Sequence, residues 1–252
     1  MNFSHVFLTR PEPQGGELAA MLEPLGLVPV VQAAFSYESV DAREAQAGDY
    51  AALEDAGSSD LVLFTSPRAV AHGLPQVPSG VLSRARILAI GPSTAKALAE
   101  AGVRVGARPG EGYTSEDLLE ALGSEMRPSE HSRAFIMAAP GGRNKLAKGL
   151  GKMGWEDRTL MVYRTEPAPL DREALGRLEN AEGILSVWTS GNAMKALSQR
   201  LPPRVWFRLC QGEWLVISER LKRLARAYGP AGIHLSGGPD NHAIFAAVRN
   251  LC

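Results

Sequence analysis

Six short segments concentrate small hydroxyl, Gly, Pro and Arg residues directly after an apolar run and before a segment of helical spacing. Free backbone N–H groups and the positive end of a helix dipole favour phosphate or carboxylate at such junctions. Ser and Thr at helix starts are also ordinary caps, so any single junction favours plain capping. Six junctions together instead predict a site for a ligand with several anionic groups. The segments are Thr9-Arg10-Pro11, Thr65-Ser66-Pro67-Arg68, Gly91-Pro92-Ser93-Thr94, Pro140-Gly141-Gly142-Arg143, Thr189-Ser190-Gly191-Asn192 and Ser218-Glu219-Arg220.

Ten residues of these junctions are the candidate binding residues. They are Arg10, Thr65, Ser66, Ser93, Thr94, Gly142, Arg143, Thr189, Ser190 and Ser218. Tyr163 is a separate candidate, because TLMVYRTEP at 159–167 predicts a strand that ends in a phenol beside a Pro-containing linker. A tyrosine at a strand end is also an ordinary packing residue, so both interpretations stay open at this point.

Other catalytic patterns are absent from the sequence. It contains neither G-x-x-x-x-G-K-[ST] nor G-x-G-x-x-G after a strand, and no G-x-S-x-G elbow. The five histidines show no i, i+4 pairing and no Cys at ligand spacing, which argues against a metal site. We therefore expect no metal, no nucleotide cofactor and no activated serine.

Composition limits the classes of protein that need to be considered. The chain has 252 residues, 45% apolar and 21% charged, which excludes disordered and fibrous classes and favours two small domains. A net charge of zero leaves no overall field for nucleic acid or an anionic membrane. The start lacks the pattern of an export signal, and Cys210 and Cys252 are too few for a disulfide framework. We expect a cytoplasmic protein without a membrane span.

The elements that would position these junctions form an internal repeat. DLVLFTS at 60–66 matches ILSVWTS at 184–190, and ILAIGPSTAKALAEAG at 87–102 matches WLVISERLKRLARAYG at 214–229. Copy one spans about residues 3–122 and copy two about residues 133–248. Apolar runs alternate with helical spacing in both copies, which predicts α/β architecture with parallel sheets. The segments at 37–58 and 165–182, with acidic and Pro-containing stretches, differ most between the copies and resemble linkers or irregular additions.

The apolar runs predict strands, and four glycines that follow predicted helices should adopt the left-handed conformation that ends a last turn. Those glycines are Gly26, Gly102, Gly154 and Gly229. The predicted strands are 5–9, 28–31, 60–65, 86–90, 103–106, 133–138, 159–164, 184–189, 213–217 and 232–235.

Taken in order, these segments resemble one family, the uroporphyrinogen-III synthases, which are the cyclases of tetrapyrrole biosynthesis. The resemblance rests on VFLTRPEPQGGELAAMLEPLG, LFTSPRAV, AIGPSTAKALAEAG, VYRTEP, VWTSGNAM and LVISERLKRLARAYG, whose order and spacing extend over nearly the whole chain. It implies two similar α/β domains joined by a two-stranded β ribbon, with the active cleft between them. The chain would cross twice, so that residues 1–36 plus 168–252 form one domain and residues 37–167 the other.

The resemblance also implies a reaction. The substrate would be hydroxymethylbilane, an open tetrapyrrole with eight carboxylates, and the product uroporphyrinogen III with its last pyrrole ring inverted. Water would be lost without a cofactor, and Tyr163 matches the functional tyrosine of the family. The small polar residues of the junctions match its cleft-lining positions less closely. Many members carry Arg where this chain has Ala138, which puts carboxylate contacts at that loop in doubt.

Two points stay open at this stage. Arg10 could face the ligand or pair with a neighbouring helix. A two-lobed cytoplasmic binding protein, or a regulatory module for a small anionic ligand, would show the same α/β pattern without catalysis. We expect a monomer whose partner is the small tetrapyrrole, with a transient contact to the preceding enzyme of the pathway.

Overall fold

A computed structural model describes residues 3–106, 115–125, 128–129, 131–141 and 144–252. The chain forms two compact units, residues 1–36 with 166–252 (unit 1) and residues 37–165 (unit 2). Within the described ranges the strands are β1 (His5–Leu8), β2 (Val28–Val31), β3 (Phe35–Ser39), β4 (Leu61–Phe64), β5 (Arg86–Ala89), β6 (Arg133–Ala138), β7 (Glu156–Met161), β8 (Tyr163–Pro167), β9 (Ile184–Trp188), β10 (Glu213–Val216) and β11 (Gly232–Leu235).

Helices follow most strands, as the alternating pattern predicts. In the described part of the chain they are α1 (Gln14–Leu22), α2 (Ala42–Ala45), α3 (Ala47–Glu54), α4 (Pro67–Gly73), α5 (Ser79–Arg84), α6 (Pro92–Glu100), α7 (Ser115–Glu125), α8 (Asn144–Lys152), α9 (Arg172–Glu179), α10 (Gly191–Arg200), α11 (Pro203–Gln211), α12 (Glu219–Ala225) and α13 (Asn241–Leu251). Short 3₁₀ turns extend α1, α4 and α12. Among the described residues, no helix has the length and apolar character needed to cross a membrane.

Each unit contains one parallel sheet. Unit 1 has the order β11-β10-β9-β1-β2, and unit 2 has the order β5-β4-β6-β7. Strands β3 and β8 form a separate antiparallel ribbon where the chain crosses between the units. The predicted fold class, two similar parallel α/β units joined by a ribbon, is confirmed.

When the repeat is taken into account, the two sheets share the order of four strands, and β11 has no counterpart among the described strands of unit 2. The pairs β10-β9 and β1-β2 of unit 1 correspond to β5-β4 and β6-β7 of unit 2. Each sheet therefore combines strands from both copies of the repeat. In the middle of each sheet a copy-one strand lies parallel to a copy-two strand, with His5 opposite Ile184 and Leu61 opposite Ala134.

Both sheets are buried on both faces, which explains their continuous apolar runs. Every residue of β4 and β9 is buried. Because side chains alternate along a strand, Val62 and Phe64 enter one core of unit 2 while Leu61 and Leu63 enter the other. Unit 1 divides in the same way, with Trp188 packed against Trp214 at 4.7 Å between ring centroids on one face.

In unit 2, a buried ion pair between Asp60 and Arg133 lies at the start of the paired strands β4 and β6. Asp60 is 3% exposed, and one of its carboxylate oxygens accepts from the Arg133 guanidinium at 2.8 Å. The other accepts from the Arg133 backbone N–H at 2.8 Å. Burial tends to raise the pKa of Asp60, but bonds from Arg133 and Gly57 outweigh it and hold that pKa below its ordinary value. The carboxylate thus stays charged while it ties β4 to β6.

Most predicted strands are confirmed to within a residue or two, and the four glycines adopt positive φ values of 68° to 96°. The predicted strand at 103–106 is wrong. The Val103 N–H donates to the Leu98 carbonyl, which ends α6. The segment contacts β5 only at Gly106, whose N–H donates to the Ile87 carbonyl. A single backbone hydrogen bond does not form a β-strand pairing.

Two further expectations are corrected. The predicted strand 159–164 divides at Val162, whose N–H bonds to Ala138 in the sheet and whose carbonyl accepts from Val40 beside the ribbon. Tyr163 therefore begins a ribbon strand and does not end a sheet strand. The supposed linkers contain helices α2, α3 and α9, because Asp41 and Asp171 cap segments rich in Ala, Leu and Glu.

We predict that units, and not repeat copies, fold alone. A fragment of residues 37–167 retains a complete sheet, whereas fragments 1–128 and 129–252 each hold parts of two sheets. The fragment 37–167 should show a cooperative thermal transition by circular dichroism, and the other two should not. A cooperative transition of isolated 1–128 would contradict this prediction.

Candidate active site

Four predicted binding residues line one pocket of unit 2. Thr65 and Ser66 follow β4, while Ser93 and Thr94 lie in the first turn of α6, after the neighbouring strand β5. Because parallel strands end at the same sheet edge, the two junctions are adjacent. The two junctions line a solvent-open pocket of about 480 Å³, whose lining also includes Gly91.

The β4 junction is held in place by its own hydroxyl groups. Thr65 Oγ1 donates to the Met137 carbonyl at 2.9 Å, which fastens the junction to β6. Ser66 caps α4, because its Oγ accepts from the Ala69 N–H at 3.0 Å. An N-cap serine uses a lone pair in this bond, so its hydroxyl proton is still available to donate. Capping and ligand binding are therefore compatible at Ser66.

The β5 junction presents backbone groups more than side chains. Helix α6 begins after Gly91, which provides no side-chain cap, and Pro92 occupies its first turn. Thr94 is only 3% exposed, whereas Ser93 is exposed. The first N–H groups of a helix have no partner within it, so the Ser93 N–H and hydroxyl are the donors this junction offers.

The Tyr163 hydroxyl lies beside this pocket. Its oxygen is 3.4 Å from Ser66 Oγ, and the residue as a whole is 9% exposed. Good O–H···O hydrogen bonds measure about 2.5–3.0 Å, so this contact is loose and leaves the phenol proton available to a ligand oxygen. The structure thus brings Tyr163 together with Ser66, which precedes it by 97 residues.

Unit 1 presents a second set of predicted residues at the equivalent edge of its own sheet. Thr189 and Ser190 follow β9, and Ser218 follows the adjacent strand β10. Ser190 Oγ accepts from the Ala193 N–H at 3.4 Å, and Ser218 Oγ accepts from the Leu221 N–H at 3.3 Å. Both serines are helix caps whose hydroxyl protons can still be donated.

Arg10 contacts the segment that precedes α13. Its Nη1 donates to the Pro239 carbonyl at 2.5 Å. Burial lowers the pKa of Arg10 from its ordinary value, and the nearby carboxylates of Asp240 and Glu17 partly oppose that shift. Arginine stays protonated in proteins, so the shift leaves its charge unchanged.

Two predicted residues, Gly142 and Arg143, lie outside the described residues. Ala138, in the strand before them, is buried in the core between the sheet and helices of unit 2. A long charged side chain at that position would have to leave this packed environment.

Three residues that the sequence did not single out for the site lie at or near Tyr163: His72 and Tyr37 contact its ring, and Arg68 contacts Tyr37. The imidazole of His72 stacks on the Tyr163 ring with centroids 5.4 Å apart, and Tyr37 meets that ring edge-on at 6.1 Å. The Arg68 guanidinium lies over the Tyr37 ring at 3.8 Å from the centroid. The spacing of Arg68 and His72, four residues apart on α4, was the available signal that they share a face.

Across the described part of the chain, no three His, Cys, Asp or Glu side chains gather closely enough to hold a metal ion. The contacts of Tyr163 bring its phenol beside the Ser66 hydroxyl and the His72 imidazole, and the Arg68 guanidinium lies on the neighbouring Tyr37 ring. This set can donate protons and bind carboxylates.

Two parallel α/β units with hydroxyl-rich strand ends, one of them beside the Tyr163 phenol, define the fold class of this protein. Residues 16–245 match the family described as Uroporphyrinogen-III synthase HemD. The chain belongs to the uroporphyrinogen-III synthase family. The uroporphyrinogen-III synthase of Escherichia coli K12 is 30% identical over 256 residues, covering 97% of this chain and 99% of that protein.

Solved structures agree on the fold. A mutant uroporphyrinogen III synthase from the extremely thermophilic bacterium Thermus thermophilus aligns with a TM-score of 0.60 at 22% identity, covering 98% of each chain. The uroporphyrinogen-III synthetase of Helicobacter pylori 26695 aligns with a TM-score of 0.59 at 13% identity, covering 98% of this chain and 99% of that one. Family membership does not favour the alternative of a binding module without catalysis.

We predict that His72 is neutral at pH 7. Burial, and then the nearby Arg68 charge, lower its pKa below the ordinary value of 6.5. The folded state then binds fewer protons than the unfolded state, so this contribution to stability is complete above about pH 6.5 and is lost as the pH falls through the folded-state pKa. An NMR titration of the imidazole, assigned with His72→Gln and compared with the urea-unfolded chain, measures both values. A folded-state pKa at or above the unfolded one would contradict the prediction.

Proposed function

We propose that this protein cyclises hydroxymethylbilane to uroporphyrinogen III, with inversion of the terminal pyrrole ring and loss of water. Two kinds of support meet here. The family match extends over residues 16–245, which contain all of unit 2 and most of unit 1. In unit 2, the single observation that carries the chemistry is the Tyr163 hydroxyl placed 3.4 Å from Ser66 Oγ at the edge of the pocket.

The substrate explains why neutral donors recur at several junctions. A linear tetrapyrrole with eight carboxylates needs many separated donors, and this chain has no net charge to attract it as a whole. We propose that Thr65, Ser66, Ser93 and Thr94 form the carboxylate-binding edge of unit 2. The donors are the Ser66 hydroxyl and the Ser93 hydroxyl and N–H, while Thr65, which bonds to Met137, and the buried Thr94 shape this edge. Thr189, Ser190 and Ser218 form the corresponding edge of unit 1. Arg10, Gly142 and Arg143 complete the proposed binding set.

Loss of the terminal hydroxyl starts the proposed reaction. The lone pair of the pyrrole nitrogen forms a C=N bond as the C–O bond breaks, which leaves an azafulvene protonated on nitrogen. The oxygen departs with the bonding electrons and takes a proton, so it leaves as water. Tyr163 is the proposed general acid, because its phenol proton is only loosely engaged by Ser66.

The harder part of this reaction is to direct ring closure to the inverted isomer. The bilane left alone closes head to tail without inversion, so the protein must hold the chain where the substituted carbon of the last ring attacks. That attack on the azafulvene methylene gives a spiro intermediate. The bond from the same carbon to its original bridging methylene then breaks, which leaves a second azafulvene on the preceding ring. The unsubstituted α-carbon of the last ring attacks that methylene, and its proton leaves to the base formed in the first step, which closes the macrocycle with the last ring inverted. Fixing the carboxylates at several separate junctions restricts the bilane to this geometry, which is catalysis by orientation.

We further propose that the protein acts as a cytoplasmic monomer and contacts the preceding enzyme of the pathway transiently. The support is chemical, because a bilane that closes spontaneously to the wrong isomer favours short transfer between enzymes. Neither a nucleic acid nor a membrane is part of the proposal.

The test of the proposed function is isomer formation. The full chain, dialysed against a chelator, is incubated with freshly generated hydroxymethylbilane, and the uroporphyrin isomers are separated after oxidation. We expect isomer III to dominate, without added metal or cofactor. Binding of the bilane with the isomer distribution of the protein-free reaction would refute catalysis and favour a binding module.

We predict that Tyr163→Phe lowers kcat by about 10- to 1000-fold while the thermal midpoint changes little. The ring and its packing are retained, and only the proton donor is removed. Tyr50→Phe is the matched control, because the Tyr50 hydroxyl donates to the Gln76 carbonyl at 2.8 Å. That loss should cost about 0.5–1.5 kcal/mol of stability and leave turnover unchanged. If Tyr163→Phe behaves like Tyr50→Phe, the phenol is only a packing residue.

A further inference from the structure

The ring of Tyr163 is held on its face by His72. The ring centroids are 5.4 Å apart and the planes differ by 25°, which is an offset stack. Tyr37 approaches the same ring at 68°, so the phenol is enclosed from two directions. The proposed reaction uses the hydroxyl of Tyr163 and assigns no part to the imidazole beside it.

His72 is itself fixed by contacts at both ends. Its Nδ1 lies 2.7 Å from Ser39 Oγ, on the ribbon strand β3. Its backbone carbonyl accepts from Gln76 Nε2 at 2.8 Å, and the same amide nitrogen donates to the Val40 carbonyl at 2.9 Å. The bond to Ser39 on the ribbon orients the imidazole, and the bonds of Gln76 hold the His72 backbone on α4 beside Val40.

The shape of the tyrosine side chain shows what this stack can control. The hydroxyl oxygen lies on the long axis of the ring, so a ring flip about that axis leaves it in place. Rotation about the Cα–Cβ bond, by contrast, swings the hydroxyl through several ångströms. A flat partner against the ring face opposes this rotation, and misplacing a catalytic group by about 1 Å can cost roughly 100-fold in rate.

We propose that His72 is a positioning residue that acts through Tyr163, its stacked imidazole holding the phenol hydroxyl beside Ser66. The inference rests on the proposed function and assigns no proton transfer to His72. Its lowered pKa fits this role, because a neutral imidazole adds no second charge beside Arg68.

The first experiment compares three replacements of His72 in the full chain. His72→Ala removes the stack and should lower kcat for isomer III by about 10-fold, with KM within about twofold of the parent, because the carboxylate donors are untouched. His72→Phe restores a flat ring and should recover most of kcat. His72→Leu restores volume without a flat face and should stay close to His72→Ala.

A control and a fold check accompany these variants. His242→Ala removes an exposed histidine at the start of α13 and should leave kcat and KM unchanged. Activity is measured below the thermal transition of every variant, as followed by circular dichroism. Equal kcat for His72→Phe and His72→Leu would overturn the inference, since volume alone would then explain the effect.

A double-mutant cycle tests whether His72 acts through the hydroxyl. In the Tyr163→Phe background there is no phenol proton to place, so His72→Ala should change kcat by less than about twofold. Independent, multiplicative effects of the two changes would overturn the inference. If the parent itself fails to raise isomer III above the protein-free level, the proposed function fails and this inference with it. Full activity of His72→Ala with an active parent removes the inference alone.

Discussion

The parallel pairing of a copy-one strand with a copy-two strand is the constraint on which the rest of this structure depends. In unit 2 it joins β4 to β6, and the Asp60 carboxylate fixes the register by accepting from the Arg133 backbone and guanidinium. In unit 1 it joins β1 to β9. Because parallel strands end at one sheet edge, this pairing places each strand-to-helix junction beside its neighbour. The pocket of Ser66 and Ser93 lies at the same edge, between β4 and its copy-one neighbour β5.

Much of this arrangement could be predicted from local sequence. The alternation of apolar runs and helical spacing predicts the sheets, and a glycine such as Gly102 or Gly229 marks a helix end because its backbone must turn left-handed. The hydroxyl-rich junctions are visible as well, since Ser66 and Ser190 sit where a cap is required. These features depend only on residues a few positions apart.

The neighbours of Tyr163 could not be predicted in this way. Ser66 lies 97 residues from it in sequence, and its contacts with His72 and Tyr37 depend on how the ribbon packs on α4. The sequence also misplaced Tyr163 within its strand, because the change of hydrogen-bond partner at Val162 leaves no residue-type signal. These contacts join residues that are far apart in the sequence, so no local sequence pattern predicts them.

The two ribbon strands have a consequence for the symmetry of the duplicated chain. FSYE in copy one and VYRTEP in copy two occupy similar places, and each contributes an aromatic residue, Tyr37 and Tyr163. The crossing places both in unit 2, where their rings meet edge to face. Each copy of the repeat supplies one of these tyrosines, but unit 2 contains both and unit 1 contains neither. The repeat by itself would give two equivalent units, and the crossing of the chain at the ribbon makes them differ.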